Sequence, residues 1–226
     1  MSIILGIETA TKMCSVALSK DGVLLAKKEE GGEYTHAENL NIFILNVCQQ
    51  AQIELKEIDA VAVSKGPGSY TGLRIGVSTA KGLCYSLNKP LISVDTLKAM
   101  AKSQNDFYDS FFVPMIDARR MEVYTAIYDV TNNQIEPISA KIIDENSFAD
   151  YLTKGKLFFF GDGAAKCKSV LEQHPNAIFI DDVHPSAEFV NQLAFEKLKN
   201  NQLEDVAYFE PFYLKDFIAT TPKKLL

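Results

Sequence analysis

The hydrophobic pattern at the N-terminus is typical of a β-hairpin. Residues Ile3 to Glu8 form an apolar run, a polar turn follows, and Ser15 to Leu18 reads as a second strand. The segment Phe112 to Ile127 has the same pattern. The chain is therefore predicted to contain two related hairpins.

The two hairpins are separated by a constant offset of 109 residues, which relates Glu8 to Asp117. In each copy an acidic residue ends the first strand beside a turn whose backbone amides could face a phosphate. A gap-free repeat near mid-chain indicates a duplication. We therefore predict an N-terminal lobe at residues 1–105 and a C-terminal lobe at residues 106–226, whose tail could return to the first lobe.

A helix is predicted after the first hairpin, over residues 35–51. Thr35 and Glu38 form a capping-box pattern at its start. Ile42, Phe43 and Leu45 extend the apolar stripe of this helix beyond one face. One apolar face of the helix is therefore expected not to be needed for packing inside the lobe.

A glycine-rich turn separates the next strand from the next helix. The apolar run Ile58 to Val63 predicts a buried strand, residues 65–69 form the turn, and helical spacing extends from about Thr71 to Leu87. One more strand is predicted at residues 90–94. These elements complete the predicted first lobe.

Strands and helices also alternate after the second hairpin, which indicates an α/β fold. The predicted strands are Lys141–Ile143, Leu157–Phe160 and Ile178–Ile180, and the predicted helices are Ser147–Leu152, Ala164–Gln173 and Ser186–Lys199. The last residues, 211–226, show no periodicity.

Composition and charge limit the classes of function. The 226 residues are 47% hydrophobic and 23% charged, as in folded rather than disordered proteins. The net charge of -6 argues against a chain that holds nucleic acid by itself, since phosphate contacts require a basic surface. Because the sequence has neither a signal-peptide pattern nor an apolar run of membrane-spanning length, we expect a cytoplasmic protein without membrane contact.

No metal site is predicted. The four cysteines are far apart in the sequence and are expected to be reduced and buried: Cys14, Cys48, Cys84 and Cys167. The three histidines are scattered instead of paired at helical spacing: His36, His174 and His184.

Three stretches of the sequence resemble the TsaB (YeaZ-like) family. They are Ile7–Ala10 with Ser15–Leu18, then Gly66–Gly76, then Ile116–Tyr124. Weaker matches at Gly161–Ala164 and Pro211–Leu214 extend the likeness over nearly the whole chain. Met121 departs from the pattern, since many relatives have glycine there.

The resemblance implies a fold and a function. Its fold would be two ribonuclease-H-like lobes of the actin, sugar kinase and Hsp70 superfamily, each a mixed sheet flanked by helices. Its function would be that of a non-catalytic subunit of the complex that transfers threonylcarbamoyl to an adenosine beside the tRNA anticodon. The chain would bind the catalytic paralogue TsaD and help to recruit the ATPase TsaE, and it would contact tRNA only indirectly, through the complex.

The predicted helix at 71–87 has small residues at every fourth position, namely Gly72, Gly76 and Ala80. Such a stripe allows another backbone to approach the helix closely. Each interior glycine lowers helix stability by about 1 kcal/mol relative to alanine, and close packing would offset that loss. The pattern alone favours packing inside the lobe. The resemblance instead implies that this helix and residues 35–51 form the interface with the paralogue, or a homodimer when the paralogue is absent.

The predicted interface residues are Leu40, Ile44, Val47, Thr71, Gly72, Leu73, Arg74, Gly76, Val77, Ala80 and Cys84. The glycine-rich turn before them could cradle a phosphate, but it matches neither the P-loop nor the dinucleotide fingerprint. We therefore favour a structural turn with Ser69 or Thr71 as the helix N-cap.

Six residues are predicted to line a nucleotide cleft between the lobes: Glu8, Thr9, Asp117, Gly161, Asp162 and Gly163. Active members of the superfamily have catalytic or magnesium-binding carboxylates at the positions of Glu8 and Asp117. A structural role, in which each carboxylate caps its own turn, would account for the two acidic residues equally well. No catalytic residue and no required cofactor are predicted, although ATP or ADP could bind at the cleft or at the complex interface.

Two alternatives remain. An active ATPase or small-molecule kinase would use Glu8 or Asp117 as a magnesium ligand or base. A metallopeptidase would need metal ligands that this sequence lacks.

Overall fold

The computed structural model describes residues 1–32, 36–104 and 110–215, which contain two five-stranded mixed sheets. The first sheet comprises β1 (Ile3–Glu8), β2 (Met13–Lys20), β3 (Val23–Gly31), β4 (Ala60–Gly66) and β5 (Leu91–Asp95). Its order is β3-β2-β1-β4-β5, in which β1 pairs antiparallel with β2 and parallel with β4.

The second sheet has the same topology. It comprises β6 (Ser110–Asp117), β7 (Glu122–Tyr128), β8 (Gln134–Ile142), β9 (Lys156–Phe160) and β10 (Ala177–Ile180), in the order β10-β9-β6-β7-β8. Strand β6 pairs antiparallel with β7 and parallel with β9, as β1 does with β2 and β4. The predicted duplication and the predicted mixed-sheet α/β fold are confirmed.

Six α-helices lie among the described residues. They are α1 (His36–Ala51), α2 (Tyr70–Leu87), α3 (Thr96–Lys102), α4 (Ala149–Leu152), α5 (Ala164–Leu171) and α6 (Ala187–Lys199), and a short 3-10 helix spans Leu55–Glu57. Within these ranges, none of the helices combines the length and the apolar character needed to cross a membrane.

Both faces of each sheet are covered. Helices α1 and α2 pack on one face of the first sheet, and α6 packs on the other. Helices α4 and α5 cover one face of the second sheet, while α3 covers the other. These layers bury long apolar runs such as that of β9, which is typical of parallel strands between helices.

Helix α6 does not pack on the second sheet, contrary to its predicted place in the C-terminal lobe. Val190 and Ala194 pack with Ile4 on the first sheet. The Asn191 Nδ2 donates to the carbonyl oxygens of Ile4 at 3.2 Å and Ala17 at 3.0 Å. These contacts join strands and helix over more than 170 residues of sequence, so no local pattern could reveal them.

The chain returns to the first lobe after α6 as a segment that we call the C-terminal strap, residues 203–213. The Lys81 Nζ donates to the carbonyl oxygens of Ala207 at 3.1 Å and Phe209 at 2.9 Å. The Phe212 amide donates to the carbonyl oxygen of Lys65 at 2.7 Å. The strap therefore lies along α2 and ends beside the glycine-rich turn.

One strand and one helix of the structure, β3 and α3, are absent from the prediction. Strand β3 carries a run of four charged residues, and α3 has seven residues, too few for a clear helical period. Three predicted features lie outside the described residues. They are the lobe boundary after residue 105, Thr35 of the capping box, and residues 216–226 of the tail.

Candidate partner-binding surface and lobe junction

Most residues of the predicted interface lie in the core of the first lobe. Nine of the eleven are buried, and only Thr71 and Arg74 are exposed. Leu40, Ile44 and Val77, for example, pack with side chains of β1, β2 and β4. These nine positions lie on the face that the lobe's own sheet covers, because helical spacing identifies the covered face of a helix.

The small-residue stripe of α2 packs against the turn between β1 and β2. A Cβ at Gly72 would lie 2.1 Å from the carbonyl oxygen of Thr9, and one at Gly76 would lie 2.2 Å from the Thr9 Oγ1. Thr9 Oγ1 also donates to the carbonyl oxygen of Gly72 at 2.8 Å. The backbone that approaches this helix closely thus belongs to the same lobe.

The outward faces of α1 and α2 carry a second, smaller set of apolar side chains. Ile42 is 52% exposed and Leu45 is 60% exposed on α1, and Tyr85 is 87% exposed on α2. The two helices pack side by side, and a Cβ at Gly82 of α2 would meet no atom within 4 Å. We call the surface formed by Ile42, Leu45, Gly82 and Tyr85 the outer helix face.

The outer helix face was not among the predicted interface residues. The sequence did contain a signal for it, because Ile42, Phe43 and Leu45 widen the apolar stripe of α1. Of these three, Ile42 and Leu45 are exposed, whereas Phe43 is buried in the core. Tyr85 gave no periodic signal.

The glycine-rich turn is a structural connection between β4 and α2. Ser69 is the N-cap of α2, and its Oγ accepts a hydrogen bond from the Gly72 amide at 3.2 Å. Gly66 has φ +115°, a conformation that favours glycine. The prediction of a structural turn with Ser69 as N-cap is confirmed.

Glu8 is buried inside the first lobe. Its side chain is fully inaccessible, and one carboxyl oxygen accepts a hydrogen bond from the Ala10 amide at 2.6 Å. Its Oε2 has no hydrogen-bond partner among the described residues. Burial raises the pKa of Glu8 to about 7. The carboxyl group therefore holds the β1–β2 turn and does not face solvent in the way a catalytic carboxylate would.

Asp117, the counterpart of Glu8, is exposed and already paired. Its Oδ1 accepts hydrogen bonds from the Lys166 Nζ and from the Arg119 amide, the latter at 2.9 Å. Burial alone would raise the pKa of Asp117, but the hydrogen bonds from Lys166 and Arg119 lower it below its ordinary value. Asp162 Oδ1 accepts from the Asp117 amide at 3.0 Å, so the two carboxylates brace one turn.

The glycines of the Gly161–Gly163 loop allow close packing in the second lobe. Gly161 has φ +103°, and a Cβ there would lie 2.3 Å from the carbonyl oxygen of Met115. A Cβ at Gly163 would lie 2.9 Å from the carbonyl carbon of Ile116. The structure thus brings Asp117 and this loop together, whereas Glu8 and Thr9 lie beneath α2 in the first lobe.

Two cavities in the described part of the chain are lined by residues other than the six predicted for a nucleotide cleft. One, of about 450 Å³, lies beside β8 and α4, and the other, of about 290 Å³, lies between β3 and the segment before α6. The smaller lies at the lower limit of typical small-molecule sites.

Three of the four cysteines, Cys14, Cys48 and Cys84, lie in the core of the first lobe. His36 is buried, with its Nε2 at 2.7 Å from the carbonyl oxygen of Thr11. All four cysteines are buried and free. Within residues 1–32, 36–104 and 110–215, no group of three His, Cys, Asp or Glu side chains could hold a metal ion.

Comparison with known proteins gives a consistent set of relatives. The family model "TsaD: tRNA N6-adenosine threonylcarbamoyltransferase" matches residues 30–223. The tRNA threonylcarbamoyladenosine biosynthesis protein TsaB of Bacillus subtilis is 30% identical over 175 residues, which cover 75% of each chain.

Solved structures agree. YeaZ from Pseudomonas aeruginosa superposes with a TM-score of 0.82 at 25% identity, over 95% of this chain and 100% of that one. The activator of 2-hydroxyisocaproyl-CoA dehydratase from Clostridium difficile superposes with a TM-score of 0.51 at 9% identity, over 88% of this chain and 97% of that one. The last similarity concerns the fold alone.

Proposed function

This chain belongs to the TsaB (YeaZ-like) family of tRNA threonylcarbamoyladenosine biosynthesis proteins, and we propose that it serves that pathway as a non-catalytic subunit. In this role it binds a TsaD-type catalytic paralogue and holds it in its active arrangement. It also helps to recruit a TsaE-type ATPase to the same complex.

The outer helix face is the observation that carries the proposal. Ile42, Leu45 and Tyr85 are large apolar side chains in solvent on two adjacent helices. Such a surface is typical of a protein interface. A paralogue is a suitable occupant, because a TsaD family model matches most of this chain and the two proteins would present equivalent helices to each other.

The same surface would pair with itself when the paralogue is absent. A patch that contacts its own copy forms a two-fold interface, in which every contact between two residues occurs twice, once from each copy. We therefore propose a homodimer of the isolated chain that gives way to the heteromeric complex.

The environments of the two acidic residues support a non-catalytic role. Glu8 is sealed from solvent, and Asp117 is engaged by Lys166. A general base or a magnesium ligand needs access to substrate or ion, which Glu8 lacks. We also propose that the chain requires no cofactor of its own, because close packing accounts for the glycines of the Gly161–Gly163 loop.

A reconstituted modification assay tests the proposal. The paralogue, the ATPase and tRNA are combined with ATP and an activated threonylcarbamoyl donor, with and without this chain, and threonylcarbamoyladenosine is quantified. Omission should abolish or strongly reduce the product, and Glu8→Gln should retain it. Unchanged product without the chain would contradict the proposal. ATP turnover by the isolated chain, abolished by Glu8→Gln, would favour the ATPase alternative.

A further inference from the structure

All three arginines of this acidic chain lie near the junction of the two lobes. Arg74 is on α2, and Arg119 and Arg120 are in the turn between β6 and β7. All three are exposed. The net charge of the chain is -6, so a local group of arginines stands out against its surroundings.

A series of contacts joins the two arginine positions through the end of the C-terminal strap. The Arg74 guanidinium lies 5.3 Å from the ring centroid of Tyr70, and the Tyr70 and Tyr213 rings lie 4.6 Å apart. Two residues after Tyr213, the Lys215 Nζ pairs with Glu122 of β7. The strap and the two residues after it thus bridge from α2 of the first lobe to Glu122, next to the turn of the second lobe that carries Arg119.

Two carboxylates of this region, those of Asp117 and Glu122, are already paired with lysines, while Glu210 adds a negative charge near Tyr213. Lys166 pairs with Asp117 and also donates to the carbonyl oxygen of Glu122 at 2.7 Å, while Lys215 pairs with the Glu122 carboxylate. Within the described part of the chain, the guanidinium groups of Arg119 and Arg120 form no ion pair. Their charge therefore remains available to an external anion.

The backbone holds both arginines in an unusual conformation. Arg119 has φ 73° and Arg120 has φ 50°, in the left-handed region that non-glycine residues seldom adopt. The turn is braced by hydrogen bonds to Asp117 from Arg119 and Lys166. Two adjacent guanidinium groups are thus presented from a fixed turn next to Glu122, the residue that Lys215 contacts.

From these observations we propose that Tyr70, Arg74, Arg119, Arg120, Tyr213 and Lys215, which we call the arginine–tyrosine face, contact RNA. Arginine binds phosphate oxygens, and tyrosine rings stack on unpaired bases, which together suit a strand with unpaired nucleotides. This inference rests on the proposed function, since the RNA is the tRNA substrate of the complex. It replaces the expectation that tRNA meets this subunit only indirectly.

The inference is tested by comparing the RNA affinities of two double variants, one on the arginine–tyrosine face and one far from it. Arg119→Gln with Arg120→Gln removes two charges from the arginine–tyrosine face. Lys20→Gln with Lys56→Gln removes two charges near the opposite end of β1, where Lys20 pairs with Ile3. Both variants are titrated with labelled tRNA over a range of salt concentrations, as the isolated full chain and in complex with the paralogue.

The arginine variant should bind tRNA about tenfold more weakly, and the slope of log affinity against log salt should fall by about 0.7 to 0.9 for each phosphate that the variant no longer binds. The lysine variant should behave as the unmodified chain, and Arg119→Lys with Arg120→Lys should retain most of the affinity because it keeps the charge. Equal affinities of the arginine and lysine double variants would overturn the inference.

Complex formation separates this inference from the proposed function. Neither double variant alters the outer helix face, so both should co-purify with the paralogue as the unmodified chain does. Loss of tRNA affinity would support RNA contact even if the paralogue failed to bind, which would contradict the proposed function alone. Normal co-purification with unchanged tRNA affinity would overturn only the RNA inference.

The tyrosines predict a preference for unpaired bases. Tyr213→Phe keeps an aromatic ring beside Tyr70, whereas Tyr213→Leu removes it. The leucine variant should lose about tenfold in affinity for an anticodon stem-loop and little for a fully paired duplex of equal length. Equal losses on both RNAs would exclude stacking by this ring.

Discussion

The hydroxyl group of Thr9 donates a hydrogen bond of 2.8 Å to the carbonyl oxygen of Gly72, which ties the β1–β2 turn to the first turn of α2. Glu8 fixes the same turn from the other side through its hydrogen bond with the Ala10 amide. The polar groups of this turn therefore support α2. The position of the outer helix face thus depends on Glu8 and Thr9, which hold the turn beneath that helix.

Substitution of the α2 glycines by alanine should have opposite effects at two positions. A Cβ at Gly76 would lie 2.2 Å from the Thr9 Oγ1, so Gly76→Ala should lower the free energy of unfolding by about 1 to 3 kcal/mol. Gly82 has open space around it, so Gly82→Ala should raise that free energy by up to about 1 kcal/mol through helix propensity. Urea denaturation measures both. A stabilising Gly76→Ala would refute the packing interpretation.

The outer helix face should tolerate charge in the monomer but not in the complex. Leu45→Glu places a carboxylate at a side chain that is 60% exposed, so the free energy of unfolding should change by less than about 1 kcal/mol. Affinity for the paralogue should fall at least tenfold, because a charge would be desolvated at the interface. Calorimetric titration and sedimentation of the isolated chain are the measurements.

Ile142→Glu is the control for this experiment. Ile142 is 71% exposed on β8 of the second lobe, and it carries an equally large apolar side chain. This variant should bind the paralogue and self-associate as the unmodified chain does. The interface assignment would be wrong if the Leu45 and Ile142 variants weakened binding equally.

Glu8 should make the stability of the first lobe dependent on pH. Burial raises the pKa of its carboxyl group from 4.5 to about 7, so the folded state favours the protonated form. Its contribution to stability is therefore complete below pH 4.5 and is lost as the pH rises through 7. The loss should be about 3 kcal/mol at most.

Glu8→Gln should remove this dependence. A glutamine keeps an oxygen that can accept from the Ala10 amide, and it carries no titrating group. Urea denaturation of both proteins between pH 5 and pH 8.5 gives the two slopes, and the slope of the variant should be the flatter. Identical slopes would show that the Glu8 carboxyl is ionised in the folded protein throughout that range.

The duplicated fold could be predicted because its signal is local. Each hairpin shows its own apolar run, polar turn and second strand, and Glu8 and Asp117 mark the same point in both copies. The site was harder to predict, because an apolar period shows that a helix face is covered and does not show what covers it. Leu40 and Val77 fit an interface as well as a core, and only the tertiary structure shows that β-strands cover them.

Other features depend on contacts between distant parts of the chain. The position of α6 rests on Asn191, whose partners Ile4 and Ala17 are more than 170 residues away. The arginine–tyrosine face requires the C-terminal strap to bring Tyr213 beside Tyr70. Neither placement leaves a periodic trace in the sequence, so neither could be predicted from it.

The position of α6 on the first sheet can be tested at Asn191. This side chain is fully buried, and its amide group donates to two backbone carbonyl oxygens of the first sheet. Asn191→Asp removes both donors and places a carboxyl group against those carbonyl oxygens, so the free energy of unfolding should fall by about 3 kcal/mol or more at neutral pH. Because burial favours the protonated acid, the loss should shrink as the pH is lowered.

Asn200→Asp provides the comparison at the exposed end of the same helix. The Asn200 Nδ2 donates to the carbonyl oxygen of Glu196 at 3.0 Å in contact with solvent, so its replacement should cost about 1 kcal/mol or less. Urea denaturation at pH 5 and pH 7.5 compares the two variants. If Asn191→Asp were as mild as Asn200→Asp, or if its cost did not depend on pH, then the side chain would be solvated and α6 would not be packed against β1 and β2.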